Sequence, residues 1–396
     1  MSLLETTICD IPLENPFIIA SASPSASIEM IEKAFRAGWG GVVTKTIKPD
    51  FMKIEDARPR FNVVKEGKKI IGFENFELVS KKDLSYWLKG ISYLKKTYPN
   101  KAVIASIMGD SSRESWSDLA LQVEKSGADA IELNFSCPHG MPEMGVGAAV
   151  GQNPPIIEKI TRWVSESVTV PVIVKLTPNV TSIEEAAAAA ARGGADAFAA
   201  INTVESLSGI DLETFDPLPS VNGKSTYGGL SGKAVKPIGL RAVSQVARTH
   251  SLPIMGIGGI SNFSDALEYI AVGACSVQVC TEVMINGFDI VKKMIIETED
   301  YLRRKGFSSI TQVQGKALGK LTTHESLVKN SPLVAAVDTA GCIGCGRCVV
   351  ACEDGGYGAV SLVDKKAQID EGLCDGCSLC THVCPADALK LVKLEA

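Results

Sequence analysis

No run in the 396-residue sequence is long and apolar enough to span a bilayer. The softest stretch, EEAAAAAARGGADAFAA, carries charges or lies beside them. The opening residues, MSLLETTICDIPLENPF, lack a basic region followed by an apolar core and a small-residue cleavage site. A cytoplasmic protein is therefore expected, with no membrane association. Positive charge is not in excess either: the net charge of -5 offers no overall attraction for nucleic acid. Proline occupies only 18 positions, while apolar residues make up 45% and charged residues 21%, which excludes whole-chain disorder and fibrous repeats. Cysteine, by contrast, is plentiful. There are twelve, and eight crowd between Cys342 and Cys384. In a cytoplasmic protein such a cluster points to metal rather than to a disulfide framework.

The length suits two or three domains. Short β-branched or apolar runs recur through the first 280 residues, with helical patterns and glycine turns between them. They are Phe17 to Ala20, Val42 to Thr44, Val103 to Ile107, Ala130 to Asn134, Val172 to Leu176, Ala197 to Ile201, Ile254 to Ile257 and Val277 to Val279. Eight continuous apolar strands of this kind predict a (β/α)8 TIM barrel, whose strands are buried on both faces. An open doubly wound sheet is the competing architecture, because pattern alone does not prove closure. The segments IEMIEKAFRAG, WSDLALQVEKSG, IIEKITRWV and SDALEYIAVG carry helix-period apolar residues, and several end in glycine. A long helix is predicted from Val283 to about Arg304. The domain reading is a barrel over 1–306, a linker and packing segment over 307–333, and a cysteine-rich unit over 334–396.

That last unit carries the sharpest local signal. Cys342, Cys345, Cys348 and Cys352 form one C-x2-C-x2-C-x3-C run, and Cys374, Cys377, Cys380 and Cys384 form another, followed by Pro385. This is the spacing of a two-cluster ferredoxin, in which each fourth cysteine crosses to the other centre. One [4Fe-4S] centre is expected on Cys342, Cys345, Cys348 and Cys384, and the other on Cys374, Cys377, Cys380 and Cys352. Residues around Val360 to Val363 and Ile369 supply two short strands. Structural zinc is the alternative, but tetrahedral pairs give no reason for the repeated crossed spacing; a disulfide domain fits less well still. Glu353 stands where proline follows the second run.

Polar residues gather at the C-terminal ends of the barrel strands, where barrel active sites lie. Lys45 follows the second strand, Asn134 and Ser136 the fourth, Lys175 the fifth, Asn202 and Thr203 the sixth, Gly258 and Gly259 the seventh, and Thr281 the eighth. Amides, hydroxyls and lysines can hold a flavin ring and ribityl chain, and a glycine turn offers backbone donors to a phosphate. Singly, strand-end Asn and Thr often only close turns. There is no GxGxxG dinucleotide fingerprint.

The stretches ASASP (20–24), GWGGVVTKT (38–46), ASIMG (105–109), ELNFSCPHGM (132–141), KLTPNVT (175–181), INTV (201–204), STYGGLSG (225–232), GIGGI (256–260) and VQVCTEV (277–283), with the paired cysteine runs, cover nearly the whole chain. Together they resemble the flavin and iron-sulfur half of dihydropyrimidine dehydrogenases, in particular the PreA-type subunit of the bacterial NAD-dependent enzymes. The wider superfamily includes dihydroorotate dehydrogenases. The resemblance implies FMN at the barrel mouth, with Ala20, Ser21, Lys45, Glu77 and Lys175 placing its ring or ribityl chain. Ser231, Gly232, Gly258, Gly259, Cys280 and Thr281 would line the phosphate end. It further implies that Asn75, Asn134, Asn202 and Thr203 grip uracil or thymine, since amides pair with both donors and acceptors. Cys137 is implied as the general acid that protonates C5 while hydride is exchanged between FMN N5 and pyrimidine C6. Pro138, His139 and Gly140 flank it; Cys9 and Cys275 read as packing residues.

No NAD- or FAD-binding half is present, so the resemblance implies a PreT-type partner subunit that carries NAD and FAD. The same likeness implies a hetero-oligomer, with a dimer of heterodimers as one arrangement. The stretches EGKKIIGFENFELVS and GMPEMGVGAAVG depart in detail from the family pattern and bear on substrate identity. Two other functions fit parts of the sequence: a ferredoxin-linked barrel reductase for another conjugated ring or acyl substrate, and a noncatalytic electron-transfer scaffold.

Overall fold

A computed structural model describes residues 2–135, 148–329 and 332–393. The chain divides into two compact units, Met1–Leu321 and Thr322–Ala396.

In the first unit eight parallel strands close into a barrel. They are Phe17–Ile19, Gly41–Val43, Ala102–Ile107, Ala130–Asn134, Val172–Leu176, Ala197–Ala200, Ile254–Ile257 and Ser276–Val279. Each pairs with its neighbours in sequence, and the eighth returns to pair with the first, Val277 opposite Phe17. Closure settles the choice between barrel and open sheet. Because side chains alternate along a strand, the apolar runs divide into two cores. Ile18, Val43, Ile104, Ile173, Ala199 and Met255 fill the inside, where Ile8 and Leu13 of an N-terminal hairpin join them. Phe17, Ile19, Val42, Val103, Ile131, Val174 and Phe198 face the surrounding helices.

The helices start and stop where the side chains dictate. Ser27 accepts the Met30 amide at the start of Ile28–Ala37, and Gly38 ends that helix at φ 113. Asn262 accepts the Asp265 amide at the start of Phe263–Ala271. The single helix expected from Val283 is instead two, Thr281–Asn286 and Ile290–Lys305. They separate at Gly287, whose φ of 81 suits glycine, and the chain then buries Phe288, whose carbonyl accepts the Trp39 indole N–H at 2.9 Å. Beyond Gly306 the chain stays on the barrel: Ile310 and Val313 are buried in its outer core, and the Gly315 and Ala317 amides bond the Ile270 and Ala271 carbonyls.

One element is unannounced by the strand pattern. Phe61–Glu66, Lys69–Asn75, Val204–Ser206 and Gly228–Ser231 form a separate antiparallel sheet. Glu74, fully buried, ties it together by accepting from the Ser208 amide at 2.8 Å, the Gly228 amide at 3.1 Å and the Ser206 hydroxyl at 3.1 Å.

In the second unit Leu333–Val337 pairs with Leu389–Lys393, and Val360–Val363 with Lys366–Ile369, both antiparallel. Among the described residues of the whole chain, no helix is long and apolar enough to cross a membrane.

Candidate active site and cluster sites

Fifteen of the sixteen barrel residues singled out from sequence line one cavity at the C-terminal mouth of the barrel: Ala20, Ser21, Lys45, Asn75, Glu77, Asn134, Lys175, Asn202, Thr203, Ser231, Gly232, Gly258, Gly259, Cys280 and Thr281. Cys137, and with it Ser136, Pro138, His139 and Gly140, lies outside the described residues.

The cavity has a polar wall and a glycine wall. On the polar side Asn134 donates to the Thr46 hydroxyl at 2.9 Å, Asn202 donates to the Asn134 amide oxygen at 3.2 Å, and the Thr203 amide donates to the Asn202 oxygen at 2.9 Å. Thr46 also bonds the Ser106 and Ser21 hydroxyls at 3.0 and 3.3 Å. The added sheet delivers Asn75, which donates to the Gly229 carbonyl and accepts from the Glu77 amide. Glu77 in turn holds Lys45 at 2.9 Å, accepts from the Ser23 hydroxyl at 2.6 Å, and meets Arg60 at 3.9 Å. Thr46, Ser106, Ser23 and Arg60 escape a reading by strand ends. Ser23, Thr46 and Ser106 belong to the stretches ASASP, GWGGVVTKT and ASIMG, but only as hydroxyls among many.

On the glycine side Gly232, Gly258 and Gly259 all have positive φ, at 92, 126 and 72. A Cβ on Gly259 would lie 2.8 Å from the Gly232 carbonyl oxygen and 2.9 Å from the Lys236 amide nitrogen, so only glycine leaves this turn intact. Tyr269 props it from behind, its hydroxyl donating to the Gly258 carbonyl at 2.7 Å. Thr281 donates to Ser231 at 2.8 Å across the same wall.

Beneath both walls is a buried charge pair. Lys175 meets Glu132 at 3.7 Å, with side-chain exposures of 7% and 0%. Gln278 donates to the other Glu132 oxygen at 2.9 Å. Among the described residues the oxygen facing Lys175 has no hydrogen-bond partner. Burial pushes the Cys280 thiol up to about 11, against the pull of Lys45 and Lys175, so it stays protonated at neutral pH. A turn that excludes side chains, two cations aimed into a cavity and a row of hydroxyls fit a flavin phosphate, ring and ribityl chain.

In the second unit the cysteines sort by space. Cys342, Cys345, Cys348 and Cys384 line one small cavity, while Cys352, Cys374, Cys377 and Cys380 line another. All eight are unpaired thiols. Among the described residues no three His, Cys, Asp or Glu side chains converge on a single ion. Cysteines that surround a space suit a four-iron cube better than zinc. Backbone N–H groups point at the sulfurs: Ala359 to Cys352 at 3.3 Å, Ala388 to Cys384 at 3.3 Å and Ala335 to Cys374 at 3.4 Å. The backbone donors of Ala367 and Gly344, with the Lys366 ammonium, hold the Cys342 thiol below its ordinary range.

Residues 3–302 match the dihydroorotate dehydrogenase family. The chain belongs to that family. Residues 335–391 match the 4Fe-4S dicluster domain, so this member adds an iron-sulfur unit to the flavin barrel. It is similar over nearly its full length to the NAD-dependent dihydropyrimidine dehydrogenase subunit PreA of Escherichia coli K12, at 42% identity over 99% of this chain and 96% of that one. Dihydropyrimidine dehydrogenase (NADP(+)) of Arabidopsis thaliana is 40% identical over 82% of this chain and 79% of its own. The catalytic subunit of dihydroorotate dehydrogenase B (NAD(+)) of Pyrococcus abyssi is 35% identical over 80% of this chain and 99% of its own. Within the family the chain is thus of the PreA type, an oxidoreductase subunit.

Proposed function

We propose that this chain is the FMN- and iron-sulfur-containing catalytic subunit of a cytoplasmic NAD-dependent dihydropyrimidine dehydrogenase. It interconverts uracil or thymine with the 5,6-dihydro forms. The observation that carries this reading is the pairing of Asn75, Asn134, Asn202 and Thr203 with the glycine wall in one cavity, in a chain that aligns with a PreA subunit from end to end. Neutral amides suit the alternating carbonyl and N–H edge of a pyrimidine.

FMN, when bound, supplies the two-electron exchange with the C5–C6 bond. Lys175 and Lys45 would place positive charge beside its ring, the Gly258–Gly259 turn and Ser231 would hold its phosphate end, and the asparagines would orient the pyrimidine. The Cys137 thiol gives a proton to C5 in reduction and recovers one from solvent, so hydride plus proton saturate the bond. The crossed cysteine sets would hold two [4Fe-4S] centres able to carry single electrons between the flavin and a PreT-type partner bearing NAD and FAD.

The test is co-expression with the NAD/FAD-binding subunit and assay of NADH oxidation with uracil, thymine and orotate. Uracil- or thymine-dependent turnover is expected, with FMN and about eight irons per chain. Turnover with orotate alone refutes the substrate reading. Cys137→Ala should keep both kinds of cofactor and lose most pyrimidine reduction; unchanged turnover refutes its role as proton donor.

A further inference from the structure

The two halves of the second unit repeat each other closely enough to serve as each other's control. The Cys342 amide donates to the Asp338 carbonyl at 2.9 Å, and the Cys374 amide donates to the Asp370 carbonyl at 3.0 Å. The Ala367 N–H serves the Cys342 sulfur as the Ala335 N–H serves Cys374. The Ala388 N–H serves Cys384 as the Ala359 N–H serves Cys352, both at 3.3 Å. Gly344 packs on the Lys365 carbonyl as Gly376 packs on that of Leu333. These backbone contacts recur in both halves, whereas the charged side chains around them do not.

Charge is what breaks the repeat. The first loop reads CIGCGRC and the second CDGCSLC, so Arg347 matches Leu379 and Ile343 matches Asp375. By the register of Ala367 with Ala335, Lys366 matches Val334. The Lys366 ammonium donates to the Cys342 carbonyl at 2.6 Å, whereas Val334 is buried. After the crossing cysteines, Pro385 follows Cys384, while Glu353 and Asp354 follow Cys352. Asp338 and Asp370 occur on both sides and cancel. The set built on Cys342, Cys345, Cys348 and Cys384 thus gains the cations Arg347 and Lys366 against the unmatched carboxylate of Asp387, while the other set gains the carboxylates of Asp375, Glu353 and Asp354. Adding an electron makes a cluster more negative, so nearby cations favour the reduced state and nearby carboxylates oppose it.

We infer that the two centres are inequivalent by design of the surrounding charges: the one held by Cys342, Cys345, Cys348 and Cys384 has the higher potential and fills first. Lys366 and Arg347 raise it, and Asp375 with Glu353 lowers its neighbour. This rests on the two-cluster reading of the cysteine sets. Each centre takes one electron from an added reductant, and no bond is made or broken.

The experiment is a potentiometric EPR measurement on the full chain, loaded with iron and sulfide under anaerobic conditions, alongside iron analysis. The wild type should show two separate one-electron waves. Lys366→Val should make reduction of the upper centre at least tenfold less favourable, 59 mV for a one-electron couple, and leave the lower wave in place. Asp375→Ile should raise the lower wave and leave the upper one. Should Lys366→Val fail to take up iron, Arg347→Leu, which alters an exposed side chain, carries the same expectation. Coincident wild-type waves, or a lower wave that responds to Lys366 or Arg347, overturn the ordering. Fewer than about eight irons in the loaded wild type refutes the two-cluster reading itself, and the ordering with it.

Discussion

Replacing Lys175 with methionine should destabilise the barrel far more than its position on a cavity wall suggests. Its partner Glu132 is fully buried, and the nearest charge separation is 3.7 Å. At an effective dielectric of 20 that attraction amounts to about 4 kcal/mol. Without Lys175, the carboxylate keeps, among the described residues, only the Gln278 amide at 2.9 Å. Leaving one buried charge unpaired costs about 3–5 kcal/mol, a large part of a typical domain's stability. The double variant Lys175→Met/Glu132→Gln removes both charges and should recover about 2 kcal/mol or more of the loss, as replaced buried pairs do. The assay is urea unfolding of flavin-free protein followed by tryptophan fluorescence. All four tryptophans, Trp39, Trp87, Trp116 and Trp163, lie in the barrel unit, so the signal reports that unit alone. A single-variant cost below about 1 kcal/mol, or a double variant no more stable than the single, would show that the pair is not what neutralises Glu132.

Gly259→Ala should abolish flavin retention in a folded barrel, because the added methyl meets the Gly232 oxygen at 2.8 Å and a left-handed alanine costs about 1–2 kcal/mol; flavin absorbance after purification reads it, and full occupancy would contradict it. Asn202→Ala removes the bonds to Asn134 and the Thr203 amide and should raise the pyrimidine KM by roughly tenfold, about 1.4 kcal/mol, in steady-state assays. For Asp265, burial works against ionisation, but the bonds from Lys236 and Ser261 outweigh it and hold the carboxyl below its ordinary range. Such a group stabilises the fold fully above the unfolded carboxylate value of about 4 and stops doing so as pH falls through its folded value. Asp265→Asn should therefore lower Tm at neutral pH and flatten the acid limb of a Tm-against-pH curve; parallel curves would refute it.

The barrel was legible because its strands are buried on both faces, so VIASI, IELN and VIVKL need no partner to declare themselves. The cysteine runs were legible for a similar reason: their chemistry depends on local spacing, and both cavities contain the crossed sets that the spacing implies. The added sheet was not. Its strands pair residues as distant as Phe73 and Ser231, and the tie between them is a single buried carboxylate, Glu74, whose burial no local pattern marks. Glu132 and Gln278 were missed likewise, because an acidic residue inside an apolar strand reads as an interruption until the lysine on the next strand is placed beside it. The split at Gly287 was visible as a residue, yet only the buried Phe288 that follows gives it a purpose.

The two walls of the barrel cavity share the added sheet but differ in what else holds them, and this bears on what a change of substrate requires. The glycine wall rests on the turn after the seventh strand and on Gly232 at the end of the added sheet, where Tyr269 and the close contact of Gly259 with Gly232 and Lys236 leave no room for substitution. The Lys175–Glu132 pair joins two adjacent barrel strands. The asparagine set is different: Asn134 and Asn202 stand at strand ends, but Asn75 comes from the added sheet, held to Gly229 by its side chain and to the rest by Glu74. A shift of that hairpin moves Asn75 together with Ser231 and Gly232, which pair with or pack on it, and leaves the Gly258–Gly259 turn as the part of the glycine wall outside the sheet. Relatives named for dihydropyrimidines and for dihydroorotate both align with this barrel, as expected if the flavin end is held constant and the ring-binding edge is re-aimed from outside it. Substrate preference should therefore respond to exchange of residues 60–75 before it responds to any change at Gly258 or Gly259.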